Sequence, residues 1–148
     1  MNTAGWTRKL FPTLAFALLG AVPAVAQAPI QVAFVTPIQI VPETKPVRGL
    51  AINFIYGANS SVEEVDLGLI NRTTAGQSSG LQWGFVNISE GSFKGFQWGW
   101  YNTGRDVNGL QLALVNYAGK IHGVQVGLIN IIKTGGQFPV FPIVNWGK

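Results

Sequence analysis

The chain has 148 residues, of which 47% are hydrophobic and 11% are charged, and its formal net charge is +4. Two of the basic residues, Arg8 and Lys9, lie in the N-terminal segment, so the rest of the chain has an excess of only +2, too small to predict a nucleic-acid partner. The absence of cysteine excludes disulfides, zinc–thiolate sites and a lipid-anchored N-terminal cysteine.

The first 26 residues have the zones of a secretory signal peptide. Arg8 and Lys9 precede an apolar run at 10–22, and small residues follow it up to Ala26. The apolar run is shorter than the ~20 residues that a membrane-spanning helix needs. The sequence therefore predicts export, cleavage after Ala26 and a single mature domain of residues 27–148.

The mature segment consists of copies of one short phrase. Two degenerate copies, at 30–36 and 49–56, precede six copies that end in asparagine. The clearest follow the pattern Gly-x-Gln-x-Gly/Ala-x-x-Asn, and the final asparagines are Asn71, Asn87, Asn102, Asn116, Asn130 and Asn145. The period of 14 to 16 residues is too short for helical repeats of ~33 to 47 residues. Because large apolar residues alternate with small or polar ones, each copy predicts one β-strand and a turn.

Counting the degenerate copies predicts an all-β domain of eight strands. Pro29 and Pro37 flank the first copy, and Pro139 and Pro142 lie in the last. Since proline cannot donate to a central ladder, we expect the first and last strands to be edges or caps.

Alternation divides each predicted strand into two faces. One face carries glycine, glutamine and other small residues. The other is large and apolar in four successive copies: Leu81, Trp83 and Phe85; Phe96, Trp98 and Trp100; Leu110, Leu112 and Leu114; Val124, Val126 and Leu128.

Two arrangements of strands accommodate this repeat. In an antiparallel meander with a hairpin loop at 118–120, Gln111 pairs with Gly127, and large residues oppose small ones across one face. In a parallel β-solenoid, Gln111 lies beside Gln125, and the glutamines and asparagines form ladders. A straight strand at 107–116 would extend ~33 Å, so a solenoid has to break it for the chain to return. We expect an up-and-down antiparallel meander that closes into a small barrel, with a short-coil β-solenoid as the alternative.

The apolar face is expected to point outward, because the interior of an eight-stranded barrel cannot hold so many large side chains. Strands of about ten residues, apolar outside and polar inside, are typical of bacterial outer-membrane barrels. The side chains expected to contact lipid or a partner are Trp83, Phe85, Phe96, Trp98 and Trp100. In the alternative, a soluble sheet buries this face against another copy or a partner.

The sequence contains little that suggests catalysis. His122 is the only histidine, and the meander places it at a strand end opposite Asn116. Glu64 and Asp66 share a predicted face, where two carboxylates can act in acid–base chemistry or bind calcium. A strand entry with Asp66 facing Asn53 is the favoured interpretation. We therefore predict no catalytic residues, no cofactor site and no metal site, and we do not expect an enzyme.

The segments 29–40, 49–57 and 138–146, together with the Gly-x-Gln-x-Gly-x-x-Asn copies, resemble the surface-repeat proteins first named in leptospires. Similar proteins are exported by many Gram-negative bacteria, and the resemblance covers the whole mature chain. It implies export to the cell envelope, and it supplies no catalytic residues.

The combined expectation is a non-enzymatic envelope protein with a structural or interaction role, in the outer membrane or at the cell surface of a Gram-negative bacterium. The expected form is a small outer-membrane barrel, and the alternative is a soluble periplasmic or surface-exposed binding module that uses its aromatic face. The candidate partners are outer-membrane lipid, an envelope protein, or a second copy of the chain in a homo-oligomer.

Overall fold

A computed structural model describes residues 27–148, which form β-strands joined by short connections. The strands are β1 (Ala28–Val35), β2 (Ile38–Gln39), β3 (Val47–Asn59), β4 (Val62–Thr73), β5 (Gln77–Trp98), β6 (Tyr101–Leu112), β7 (Val115–Thr134) and β8 (Val140–Gly147). The predicted signal peptide, residues 1–26, lies outside the described residues. Residues 27–148 include no helix long and apolar enough to cross a membrane.

Parallel pairing between successive coils defines the fold. The described strands form one sheet in the order β2-β1-β3-β4-β5-β6-β7-β8. Each strand from β3 to β6 pairs in parallel with the strand that follows it in the chain. Gln97 pairs with Gln111, and Gln111 pairs with Gln125. The chain is therefore a β-solenoid of about seven turns. The all-β class and the solenoid alternative are confirmed, whereas the antiparallel meander, its Gln111–Gly127 pairing and the barrel are wrong.

Corners explain how so short a repeat returns to its starting point. In one coil, Trp100 and Tyr101 are both exposed, and so are Arg105 and Asp106, so the alternation of inward and outward side chains is interrupted at each pair. A third corner is Gly109, whose φ is 142°. The strand that the meander required to be straight through Gly109 is therefore bent. Because β5 and β7 continue round such corners, each of them includes residues of two copies.

Two ladders of side-chain amides fill much of the interior. The asparagine ladder runs through Asn53, Asn71, Asn87, Asn102, Asn116 and Asn130, each Nδ2 donating to the next Oδ1 at 2.8–3.1 Å. The glutamine ladder runs in the opposite direction, from Gln125 through Gln111, Gln97 and Gln82 to Asp66, with distances of 2.7–3.1 Å. All these side chains are buried. From Asn71 to Asn130 and from Gln82 to Gln125 the ladder residues are identical and in register on adjacent parallel strands, whereas Asn53 reaches Asn71 from beside Gly68, across a register shift.

The ladder asparagines from Asn71 to Asn116 also donate an N–H to the backbone of the next coil. Asn87 Nδ2 donates to the backbone oxygen of Trp98 in the next coil at 2.9 Å, and Asn116 Nδ2 donates to that of Val126 at 2.9 Å. Each acceptor lies close to the corner where the outer strand ends. The asparagine is therefore a second donor to this carbonyl at the corner, since the backbone oxygen of Val126 also accepts from the N–H of Ala113 at 3.1 Å.

Apolar side chains complete the core, and the sheet edges are irregular. One cluster consists of Phe93, Val107, Ala118, Ile121 and Ile132, and a second lies in the early coils at Val41, Val47, Ala51 and Val62. At one end the short β2 pairs with β1, and at the other end β8, which contains Pro142, pairs antiparallel with β7. The prediction of a proline-bearing edge is confirmed for β8, whereas β1 lies between β2 and β3 and is not the outermost strand.

A column of left-handed residues forms one corner of the solenoid. Gly80, Gly95, Gly109 and Gly123 all have positive φ, and a Cβ at Gly95 would lie 2.1 Å from the backbone oxygen of Gly80. The register places Glu64 in the same column, beside Gly80, with a φ of 94°. Glu64 is therefore a side chain at a position where the fold favours glycine.

Replacing Glu64 with glycine is expected to stabilise the fold by about 1 kcal/mol, since a non-glycine residue in this region of φ costs ~1–3 kcal/mol and the added chain entropy offsets part of the gain. Urea unfolding of Glu64→Gly provides the measurement. The matched control is Lys94→Gly, an exposed strand position without positive φ, which is expected to be destabilising. Equal destabilisation by both changes would contradict the strained corner.

The parallel register predicts a specific cross-link, because Asp106 pairs with Lys120. In a chain without cysteine, the double variant Asp106→Cys/Lys120→Cys is expected to form an intramolecular disulfide on mild oxidation, detected by mass spectrometry. The control Asp106→Cys/His122→Cys is shifted by two residues along β7, which separates its Cα atoms by more than the ~7 Å that a disulfide tolerates. Cross-linking of the control alone would overturn the register.

Candidate functional site

The outer surface of the solenoid has one continuous apolar face. The register aligns the outward residues of six coils, since Val65 lies beside Leu81 and Phe96 beside Leu110. We define the apolar face as Leu50, Ile52, Phe54, Val65, Leu67, Leu69, Leu81, Trp83, Phe85, Phe96, Trp98, Trp100, Leu110, Leu112, Leu114, Val124, Val126 and Leu128. It contains no charged residue. Its most exposed members include Trp100 at 62% and Leu128 at 63%.

The aromatic residues of the apolar face contact one another between coils. The ring centroids of Trp83 and Trp98 are 6.0 Å apart, and Phe85 packs edge-on against Trp100 at 4.8 Å. Phe96 stacks on Trp98 at 6.4 Å. These are favourable distances for aromatic pairs, which hold the exposed rings in defined positions.

A groove of about 520 Å³ lies on this face. Trp83, Phe85, Trp98 and Trp100 line it, whereas Phe96 lies beside it and does not. The structure thus brings together four of the five residues singled out from the sequence.

The opposite wall of the groove comes from earlier coils and includes Ile52, Phe54, Leu67 and Leu69. Sequence reasoning missed these four residues, because their copies lack the glutamine or glycine of the motif. The feature that could have identified them is their outward position in the coil, which they share with Trp83 and Phe85. This shared position can be recognised only when the parallel register is known.

Charged side chains lie on the other outer surfaces. Arg72 pairs with Glu90 at 2.7 Å, and Arg105, Asp106 and Lys120 are exposed. A second, shallower groove on this side contains charges of both signs. The apolar face and the charged surface are therefore separated by the buried interior.

The residues considered for catalysis are dispersed. His122 is exposed beside Asn108 and not opposite Asn116, as the meander had placed it. Glu64 is exposed and Asp66 is buried, so the two carboxylates do not share a face, because the positive φ of Glu64 shifts the alternation. Within residues 27–148, no group of three or more His, Asp or Glu side chains is placed to hold a metal ion.

Asp66 is the acceptor at which both ladders meet. Asn53 Nδ2 donates to its Oδ1 at 2.8 Å, and Gln82 Nε2 donates to its Oδ2 at 3.1 Å. The predicted pairing of Asp66 with Asn53 across the strands is wrong, since the parallel register pairs Asp66 with Ala51. Burial raises the pKa of Asp66 to about 7, although the hydrogen bonds from Gln82 and Asn53 lower it. A carboxylate suits this position because it accepts from both sides and donates to neither.

The raised pKa of Asp66 makes the fold less stable as the pH rises. In the unfolded chain the carboxyl group ionises near its ordinary pKa of 3.8, while in the fold it ionises only near 7. Stability that is fully present below about pH 4 is therefore lost as the pH rises through about 7.

Replacing Asp66 with asparagine is expected to remove this loss, since the amide carries no charge. We expect the stability of Asp66→Asn relative to the wild type to rise by about 2 to 4 kcal/mol between pH 4 and pH 8. At pH 4 we expect the variant to be the less stable protein, because the N–H groups of its amide face the N–H donor of Asn53 or of Gln82. Denaturant unfolding across this pH range measures it, and Asp106→Asn, at an exposed position, is the control. A difference that does not change between pH 4 and pH 8 would contradict the buried carboxylate.

Comparisons with known proteins gave no relative for this architecture. No protein-family model, curated protein or solved structure matched the chain. The resemblance to the leptospiral surface-repeat proteins stays a prediction, and the interpretation of the apolar face depends on its geometry.

Proposed function

We propose that the protein is an exported, non-enzymatic β-solenoid module of a Gram-negative cell envelope, and that the apolar face is its docking surface. The observation that carries this proposal is the uncharged outer face that extends over six coils. The signal-peptide zones and the resemblance to exported surface-repeat proteins support the location.

The size of the apolar face supports a docking role. Soluble monomers rarely expose contiguous apolar patches above a few hundred Å². Ten of its large hydrophobic side chains are exposed, among them Trp83, Trp98 and Trp100. A large aromatic side chain has a surface of ~150–250 Å², and about half of each of these side chains is exposed, so together they expose on the order of 1,000 Å². A face of this size is unfavourable in water unless a partner covers it.

The chemistry of the groove favours an apolar partner. The exposed side chains that line the groove are aromatic or aliphatic. The lining also includes one amide, Asn53, but its side chain is buried and donates hydrogen bonds to Asp66 and Asn71. A polysaccharide would lose hydrogen bonds to water on entering such a groove without recovering them. Apolar side chains of a protein have no such loss.

The full chain, expressed in a Gram-negative host, is expected to lose its first 26 residues and to enter an envelope assembly larger than one chain. Trp98→Ser is expected to weaken this assembly by tenfold or more, since a central buried tryptophan commonly contributes ~2 kcal/mol or more to an interface. Native gels of fractionated cells and mass spectrometry of the N-terminus provide the readouts.

The matched control is Tyr117→Ser, because Tyr117 lies beside Thr103 on another side of the solenoid. An uncleaved chain in the cytoplasm would refute the envelope location. Equal assembly of the two variants would refute docking through the apolar face.

A further inference from the structure

We infer that the occupant of the apolar face is a second copy of this chain, in a two-fold symmetric dimer. This inference rests on the proposed function, because it names the partner of the same surface. Three observations lead to it: the area of the face, its lack of charge, and the different shapes of its two halves.

The exposed area matches what a stable dimer needs. A face of about 1,000 Å² on each copy would bury on the order of 2,000 Å² in total, which lies at the upper end of standard interfaces and at the start of the obligate homodimer range. Homodimer interfaces are also more apolar than other protein interfaces. The face is therefore large enough to hold two copies together without another partner.

The absence of charge makes the face complementary to itself. A membrane surface would favour a row of basic residues around the apolar face. The column of residues before its glycine corner is mixed instead: Arg48 pairs with Glu63 at 2.8 Å, and Lys94 lies beside Asn108. An identical apolar face offers no charge to desolvate on either side of the interface. Two such sheet faces pack at ~10 Å with nearly aligned strands, as in a β-sandwich.

The shapes of the two halves suggest where the symmetry axis lies. The coils at 81–85 and 96–100 carry the large rings, whereas those at 110–114 and 124–128 carry only leucine and valine. A two-fold axis that lies in the interface, parallel to the strands and close to Trp98, reverses the order of the coils in the second copy. Leu114 of the second copy then lies over Trp83 and Phe85, and Leu128 of the second copy lies over Leu69. The aliphatic half of each copy thus fills the aromatic groove of the other.

Cysteine variants test this arrangement directly, because the chain contains no cysteine. Because the two packed sheets lie ~10 Å apart, beyond the ~7 Å between Cα atoms that a disulfide tolerates, a short bis-maleimide reagent is used as the cross-linker. Trp98→Cys, close to the axis, is expected to be linked into a dimer by this reagent. Leu69→Cys/Leu128→Cys is expected to link two chains, while Leu128→Cys alone and the control Tyr117→Cys are expected to remain single chains on a denaturing gel. Equal cross-linking at Tyr117→Cys and Trp98→Cys would overturn the inference.

The molar mass of the purified exported chain, measured by light scattering in detergent-free buffer at micromolar concentration, gives the second test. We expect two copies for the wild type and for Tyr117→Glu. We expect one copy for Trp98→Glu, which would place two carboxylates together at the axis, with an unchanged circular dichroism spectrum. If Trp98→Glu does not fold, Leu114→Glu takes its place.

A single-copy mass for the wild type would overturn the dimer. If envelope assembly of that monomer still depended on Trp98, the proposed docking function would stand with a different partner. Binding of that monomer to phospholipid vesicles would assign the face to lipid. If neither held, both proposals would fail together.

Discussion

A buried primary amide has to pair its oxygen and both its N–H groups, and the rest of this structure follows from that requirement. Asn102 donates to Asn116 and to the backbone oxygen of Leu112 while it accepts from Asn87. From Asn71 to Asn130, in-register parallel neighbours one strand spacing apart provide such partners. The same register then aligns the outward residues in columns, which is why six short apolar segments become one uninterrupted face.

Each ladder has a side-chain oxygen without a hydrogen-bond partner only at its first residue. Among the described residues, the oxygens of Asn53 and Gln125 have no hydrogen-bond partner, and each is the first donor of its ladder. The two ladders meet differently at Asp66, where a carboxylate accepts from Asn53 and Gln82 at the expense of burying a titratable group. The irregular strands β1, β2 and β8 close the ends beyond these positions.

The sequence predicted the composition of each face better than the arrangement of the strands. Alternation correctly separated Trp83 and Trp98 from Gln82 and Gln97, because it is a local property that a meander and a solenoid share. The choice between the meander and the solenoid depended on whether the strand through Gly109 is straight. The positive φ of this one glycine bends the strand and so favours the solenoid. The asparagine in every copy was the sequence signal for a parallel stack. What the asparagine stabilises is a set of contacts between residues 14 to 16 positions apart, which the local sequence does not show. Phe54 and Leu69 were missed for the same reason, since only the register connects them to the aromatic groove.

The two ladders point in opposite directions, and this has a consequence for how long such a protein can be. The asparagine N–H groups point towards the later coils, whereas the glutamine N–H groups point towards Asp66 in the earlier ones. Aligned amide dipoles add along a stack, as they do along a helix, but two stacks of opposite polarity largely cancel. Inserting or deleting a whole coil therefore changes the net dipole of the interior very little. The number of coils in such a solenoid is limited by its terminal caps and not by accumulating electrostatic energy, so the apolar face can lengthen or shorten in whole-repeat steps.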